Sequence, residues 1–546
     1  MIDIIHLITS LILLYFSVLG YGLLIKNKKV DYDIFIIFLA GYFFIGIIGL
    51  LIHFFIPIDS NLSVAIIVFG IILLVLKKKH LNQKIIINYL IIYLTFSILL
   101  VGYSDHAIDS NMYHHPYVSY LKSSKIIFGI ANIEFRFGHI SFLQYVQAAL
   151  SNNYLNLISL SAPNFLIYSL FLIYSGEKIF SKNKNKITYF FVLIISSFVL
   201  IKLGRYREFG NDLIPFLVAS YFLIILFDNY YKKNNFNFFY LGPLFAIFIF
   251  SHKISYIFSV LIFLTIFTKD YFINLLKEKK VLSISIFISL IWLLKNFITT
   301  SCLAYPVYQT CIQNTEWYLT GISDPLSAAR LSELWAKAFI ANPNWQNINL
   351  DNYINSFAWV DTWLQSHFIK ILEKLSPIFI LLIILSGFLY FGKQVKNKIK
   401  KINYAFFYKL FILIFIGLVI WFLNAPLFRY GSFYIVSFVS VIFIFFNLKK
   451  ILNFDKKILN KLNYIFIFSI VFFTLKNINR QINSDNYFFP ETVKNNKNYE
   501  IANHKPLILK PKKETLNQCF YTFAICSHEI PNEFKVIKKN NYYLIK

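Results

Sequence analysis

Charge is what this sequence has least of. Of its 546 residues only 14% are Asp, Glu, Lys or Arg, against 58% hydrophobic and 19% aromatic, and the mean hydropathy is +0.60. A soluble globule carries about a quarter of its residues charged, so the chain is excluded from that class and reads as a polytopic membrane protein. Acidic residues are scarcer still, 26 against 53 basic ones, which leaves a formal charge of +27. In a soluble protein that excess would suggest nucleic acid. Here the lysines gather in short clusters between apolar runs, as cytoplasmic loops do, and no nucleic-acid partner is expected. Ile, Phe, Asn, Lys and Tyr are abundant enough for AT-rich coding to explain, so a lone aromatic or lysine carries little weight. Arginine is the informative scarcity: only Arg136, Arg205, Arg207, Arg330, Arg429 and Arg480 occur among the 53 basic residues.

Crossing about 30 Å of hydrocarbon takes roughly 20 helical residues. About fourteen segments are candidates, near 4–25, 34–56, 61–76, 85–103, 156–175, 187–203, 212–231, 236–251, 254–268, 281–297, 374–392, 410–424, 430–447 and 463–475. The expected fold is therefore all-α and polytopic. Lysine clusters such as "KNKK" at Lys26, "KKKHLNQK" at Lys77, "KEKK" at Lys277 and "KQVKNKIKK" at Lys393 fall after every second segment. Positive loops stay cytoplasmic, so both termini are expected outside. The first segment has no basic n-region and reads as a retained helix. The short pair around "SHK" at Ser251 is expected to form a hairpin.

Divided this way, the chain has a four-helix membrane segment (1–103), a first large external loop (104–140), central helices (141–297), a second external loop (298–373), C-terminal helices (374–475) and an external tail (476–546). All four cysteines, Cys302, Cys311, Cys519 and Cys526, fall in external regions. Their spacing suits two local disulfides better than zinc, with free thiols as the alternative. No internal repeat is visible.

All six arginines fall on the expected outer side, against the usual trend. Arg205 and Arg207 ("LGRYREFGND") follow the sixth segment, Arg429 ("NAPLFRYGS") lies in a very short loop, and Lys253 caps the hairpin. Near lipid headgroups a planar donor fork suits phosphate, although such side chains also simply snorkel to the interface. Carboxylates at a membrane edge are costly and become functional candidates, which singles out Asp105, Asp109, Glu208 and Asp212. In "AIDSNMYHHPYVSYL" a helix starting near Asp109 would put Tyr113 on the carboxylate's face and His114 one residue on; Asp109 could equally be an N-cap. His114 and His115 admit three readings: loop hydrogen bonding, proton shuttling, or metal ligation with Asp109. "GIANIEFRFGHISFLQY" adds Asn132, Glu134, Arg136 and His139 to the same loop, where they could bind a sugar or acidic group or form the loop's own polar core. In the second loop, Trp359, Trp363 and His367 recur at i+4 and suit a helix lying in the membrane interface.

These stretches, together with "SCLAYPVYQTC", "WFLNAPLFRYG" and "QCFYTFAIC", resemble the GT-C type of integral-membrane glycosyltransferase, and more closely an uncharacterised bacterial group within that superfamily. The resemblance is scattered over most of the chain in one consistent order. It implies that the acidic residue of the first external loop, Asp109, serves the reaction and that the late arginine, Arg429, binds the donor's lipid phosphate. Two features depart from the pattern: about four helices precede the acidic loop, and no paired acidic metal motif is clear, so neither a bound metal nor another cofactor is expected. The implied activity moves a sugar from a polyprenyl-phosphate donor to a glycan, lipid or protein acceptor on the outer face of a bacterial cytoplasmic membrane. Asp109 would be the general base and His114 its orienting or relay partner. Arg205, Arg207, Lys253 and Arg429 would hold the phosphate, with Tyr113, His115, Asn132, Arg136, Asp212 and Tyr430 also binding substrate. The competing readings are a lipid-linked oligosaccharide flippase or transporter, and a surface-polysaccharide ligase or polymerase.

Overall fold

A run of twenty apolar residues in lipid can satisfy its backbone only along itself, and the chain does so with helices. The computed structural model describes residues 2–25, 32–77, 82–101, 109–139, 141–152, 154–155, 160–182, 184–203, 211–232, 241–343, 346, 349–395, 404–483, 499–512, 518–531 and 534–546. The first group of helices is α1 (Ile2–Gly22), α2 (Ile34–His53), α3 (Ser60–Lys77) and α4 (Gln83–Leu100). The first loop contributes α5 (His115–Ser123), and α6 (Phe142–Leu150) follows it. The central group is α7 (Ala162–Phe180), α8 (Lys186–Ile201), α9 (Leu213–Lys232), α10 (Gly242–His252), a 3₁₀ segment (Ile254–Thr265), α11 (Lys269–Lys277) and α12 (Lys279–Thr300). Short helices α13 (Pro325–Ala336), α14 (Leu350–Asn355) and α15 (Trp359–Trp363) build the second loop. The last group is α16 (Ile369–Phe391), α17 (Tyr404–Asn424), α18 (Phe428–Phe446), α19 (Leu448–Asn453) and α20 (Lys456–Asn483).

Each of the fourteen expected segments falls on a helical element, but among the described residues eight helices are long and apolar enough to cross a membrane. The shortfall is clearest at the hairpin. There α10 has 11 residues and the 3₁₀ segment 12, too few for either to cross the hydrocarbon as an ordinary helix. They pack against each other and turn at Lys253, whose backbone is extended. Large apolar side chains such as Ile383, Phe391 and Phe468 stand exposed on the long helices, as a surface facing lipid does.

The bundle has two chemically different ends. At one, Lys178 pairs with Asp228, Lys184 donates to Asn460 and Asn463 (2.9 and 3.0 Å), and Lys186 reaches the carbonyls of Leu452 and Phe454 (2.7 and 2.6 Å). At the other, Arg480 of α20 donates to the carbonyls of Leu99 and Val101 where α4 ends (3.1 and 2.9 Å). The described parts of the first loop, the second loop and the tail gather at this second, loop end.

The tail corrects the all-α expectation. Strands β1 (Tyr499–His504), β2 (Leu507–Pro511) and β3 (Ile525–Cys526) form one sheet in that order, β1 and β2 antiparallel, β2 and β3 parallel. Strands β4 (Val536–Lys539) and β5 (Tyr542–Ile545) form a hairpin whose two turn residues, Asn540 and Asn541, both have positive φ. Two asparagines at such a turn are the mirror-type signature that fits strand twist, and "KVIKKNNYYLI" carried it in plain view. The hairpin docks on the first loop: the Phe128 amide donates to Tyr543 O and the Ile545 amide to Phe128 O, both at 2.9 Å. Gly129 makes the approach possible, because its φ is +67° and a Cβ there would lie 2.4 Å from Ile545 O.

Two disulfides, Cys302 to Cys311 and Cys519 to Cys526, close short loops in the outer layer. The second clasps the tail onto the first loop, where the amides of Cys519 and Phe520 donate to Asn111 O (3.2 and 3.0 Å) and the Thr522 amide to Ser119 Oγ (3.1 Å). Trp359 and Trp363 are buried rather than laid in an interface, which overturns the expectation for that segment. Both rings pack on Phe422 of α17, and Trp363 Nε1 donates to Pro426 O at 2.6 Å, because the turn between α17 and α18 offers a free carbonyl.

Candidate functional site at the loop end

The segment after Asp109 forms a π turn, Ser110–His114, that runs directly into α5. Asp109 has helical backbone angles and makes no side-chain capping bond, so its carboxylate is available to side chains. It lies 2.8 Å from Arg429 Nη1, at the start of α18. Arg429 Nη2 donates to Tyr430 Oη at 3.0 Å, and the guanidinium and Lys253 Nζ lie 4.9 and 4.4 Å from the centre of the Tyr430 ring. Lys253 in turn lies 3.1 Å from Asp212 Oδ1, just before α9. Asn211, the preceding residue, accepts from Gln144 Nε2 at 3.0 Å, and the same nitrogen meets His114 Nδ1 at 3.0 Å. His114 returns the path to the turn that carries Asp109. The result is a closed polar ring drawn from the first loop, α6, the α8 to α9 junction, the hairpin tip and α18.

Its electrostatics follow from who faces whom. Burial acts to raise the Asp109 pKa, but the Arg429 charge and hydrogen bond, with His114 and Arg136 beyond, hold it below the usual carboxylate value. Burial pushes His114 down to about 4, so its imidazole is neutral near pH 7. Burial and then the Asp109 charge drive the Tyr113 phenol well up, which keeps it protonated. The ring therefore combines two acid and cation pairs with a neutral imidazole and the protonated phenol of Tyr113. Such a set can bind an anion and accept a proton nearby.

The structure brings together Asp109, Tyr113, His114, Asp212, Lys253, Arg429 and Tyr430. Arg205, Arg207, Asp105 and Glu208 lie outside the described residues. His115 is buried inside α5, on the residue after the turn. Asn132 is a joint between three outer segments: its Nδ2 donates to Ile545 O (2.9 Å) and its Oδ1 accepts from the Thr320 amide (3.2 Å). Arg136 belongs to a neighbouring cluster, where its Nη1 contacts Glu134 and Glu529 at 2.9 and 2.7 Å. His528 lies beside both carboxylates.

This neighbouring cluster is the group of potential metal ligands found among the described residues, since Glu134, His528 and Glu529 offer atoms within 4.8 Å of one another. Arg136 already supplies the cation at its centre. Burial and the Glu529 charge push Glu134 up to about 7, while for Glu529 burial is outweighed by His528 and Arg136, which hold it down to about 2. The cluster thus couples the tail to the first loop, one ring diameter from the site: Arg136 lies 5.7 Å from the centre of Tyr113.

Two ring members, Gln144 and Asn211, escape a reading of the sequence for charge and imidazole. The available signal was compositional: Gln144 and Gln147 are buried amides in the otherwise apolar run "FLQYVQAAL", and such groups need partners.

A family model described as a domain of unknown function (DUF8201) matches residues 1–436. The chain belongs to this family. The DUF8201 span takes in every ring residue, from Asp109 to Tyr430, and the Cys302 to Cys311 disulfide; it stops before α20 and the β-structured tail, so Glu529 and His528 lie beyond it. No curated protein and no solved structure matches the chain.

Proposed function

We propose that the chain is a membrane glycosyltransferase of GT-C type that moves a sugar from a polyprenyl-phosphate donor to an acceptor hydroxyl. The reading rests on one observation: a half-exposed carboxylate, Asp109, touches a scarce guanidinium, Arg429, at the loop end of a bundle built for lipid. Lysine clusters at the opposite end favour the cytosol for that side, which supports a ring on the outer face of a bacterial inner membrane and both termini outside. In the reaction the acceptor oxygen attacks the anomeric carbon as its proton passes to Asp109. The bond from that carbon to the phosphate oxygen breaks, and the departing phosphate leaves with its charge held by Arg429 and Lys253. His114, neutral and tied to Gln144, orients the groups around Asp109 and remains uncharged while they move. No step calls for a metal.

The test is a transfer assay. The purified chain in lipid nanodiscs, supplied with polyprenyl-phosphate sugars and membrane glycan acceptors, is expected to release polyprenyl phosphate in step with glycosylated product. Intact donor with every sugar tried, under conditions where the protein remains folded, argues against the proposal.

A further inference from the structure

The ring contains its own competitor for the anion. Arg429 has five N–H groups, and among the described residues few of them are committed: Nη1 to Asp109 and Nη2 to Tyr430, while Nε is buried with no hydrogen-bond partner there. The bond from Asp109 is single, through Oδ2, although a guanidinium fork is shaped for two parallel bonds to a carboxylate or phosphate. Both partners are partly open to solvent, with 46% of the Asp109 side chain and 36% of the Arg429 side chain exposed. A pair with this access to solvent can be reached by a competing anion. Asp109 stands immediately before a π turn, which holds one residue more than an α turn and is a form of helix that recurs at functional sites. Asn111, two residues after Asp109 in the turn, is pinned to the disulfide-closed tail and fixes where the turn begins.

We infer that Asp109 and the phosphate of a lipid-borne anion exchange on Arg429, so that arrival of the anion is what frees the carboxylate to act as a base. This rests on the proposed transferase reading and adds an order to it: the phosphate-bearing donor binds first, and the acceptor meets an active carboxylate only when donor is present. Donor hydrolysis or acceptor activation in the empty site is thereby suppressed, because the unliganded carboxylate is held by the guanidinium.

The exchange is measurable without turnover. The full chain in nanodiscs is treated with a water-soluble carbodiimide and an amine at mildly acidic pH, and modification of the Asp109 peptide is followed by mass spectrometry with and without farnesyl phosphate. Labelling of Asp109 is expected to rise severalfold with farnesyl phosphate and to stay unchanged with inorganic phosphate at equal concentration. In Arg429→Gln, Asp109 is expected to label rapidly with or without the probe. Asp109→Asn is expected to bind farnesyl phosphate up to about fivefold more tightly, the scale of one exposed ion pair. If farnesyl phosphate binding depends on Arg429 but Asp109 labelling stays flat or falls, the exchange is wrong and the phosphate site stands. If binding is indifferent to Arg429→Gln, the phosphate site itself is wrong. An equal rise with inorganic phosphate overturns the assignment to a lipid-borne anion.

Discussion

Replacing Asp109 with Asn is expected to lower the transfer rate by roughly 10² to 10⁴-fold, the usual contribution of a positioned general base. Asn keeps the shape and can still accept from Arg429, so the protein should reach the membrane at wild-type levels with an unchanged melting temperature. The loss should appear in kcat. Donor KM should stay level or fall, because the substitution removes the carboxylate that shares the guanidinium. A structural role would produce the opposite pattern, with less protein and little change in the activity of what remains. The comparison needs only the transfer assay and quantified protein, and wild-type turnover by the Asn variant would reject Asp109 as the base.

Arg429→Gln should be nearly as damaging but by another route. The variant loses the fork that faces the phosphate and leaves Asp109 without its partner, so donor KM should rise and kcat fall together, with kcat/KM down by about 10² or more, the scale of losing a charge-assisted donor at a developing anion. Arg429→Lys should recover only part of this. Lysine restores the charge as a single point, not the planar pair of N–H groups, and its shorter reach cannot serve Asp109 and Tyr430 at once. Full recovery with Lys would mean that only the net charge matters at that position. Donor titrations of the three proteins separate these cases.

Much of this arrangement was legible in the sequence because lipid simplifies the physics. Apolar runs fixed where helices lie, and the alternation of lysine clusters anticipated two opposite ends, with Asp109, Lys253 and Arg429 sharing one of them despite a separation of 320 positions between Asp109 and Arg429. Of the six arginines, Arg429 joins the ring and Arg136 the neighbouring cluster, while Arg205 and Arg207 lie outside the described residues. Less could be read where tertiary packing decides. Trp359 and Trp363 have the spacing of an interfacial helix, yet they fill the gap beneath the turn before α18, and spacing alone does not distinguish a lipid face from a protein face. Asn132 reads from sequence either as a substrate ligand or as part of the loop's own polar core, and it makes a joint whose partners, Ile545 and Thr320, come from distant segments that no local pattern reveals. Gln144 shows the converse: a neutral amide without charge or motif acquires its importance only from the His114 and Asn211 side chains that converge on it. The tail's hairpin was readable from its paired asparagines, but its place against Phe128 was not.

The side of the membrane on which the ring opens decides whether a lipid-borne donor on the outer leaflet can reach it. The four native cysteines are joined in two disulfides, so single cysteines can be introduced as reporters at Ser123, exposed in the Asp109 loop, and at Lys182, exposed at the lysine end. In intact cells a membrane-impermeant maleimide is expected to label Ser123→Cys and to reach Lys182→Cys only after permeabilisation. Labelling of Lys182→Cys alone in intact cells would put Asp109 and Arg429 in the cytosol and contradict the outer-face transferase.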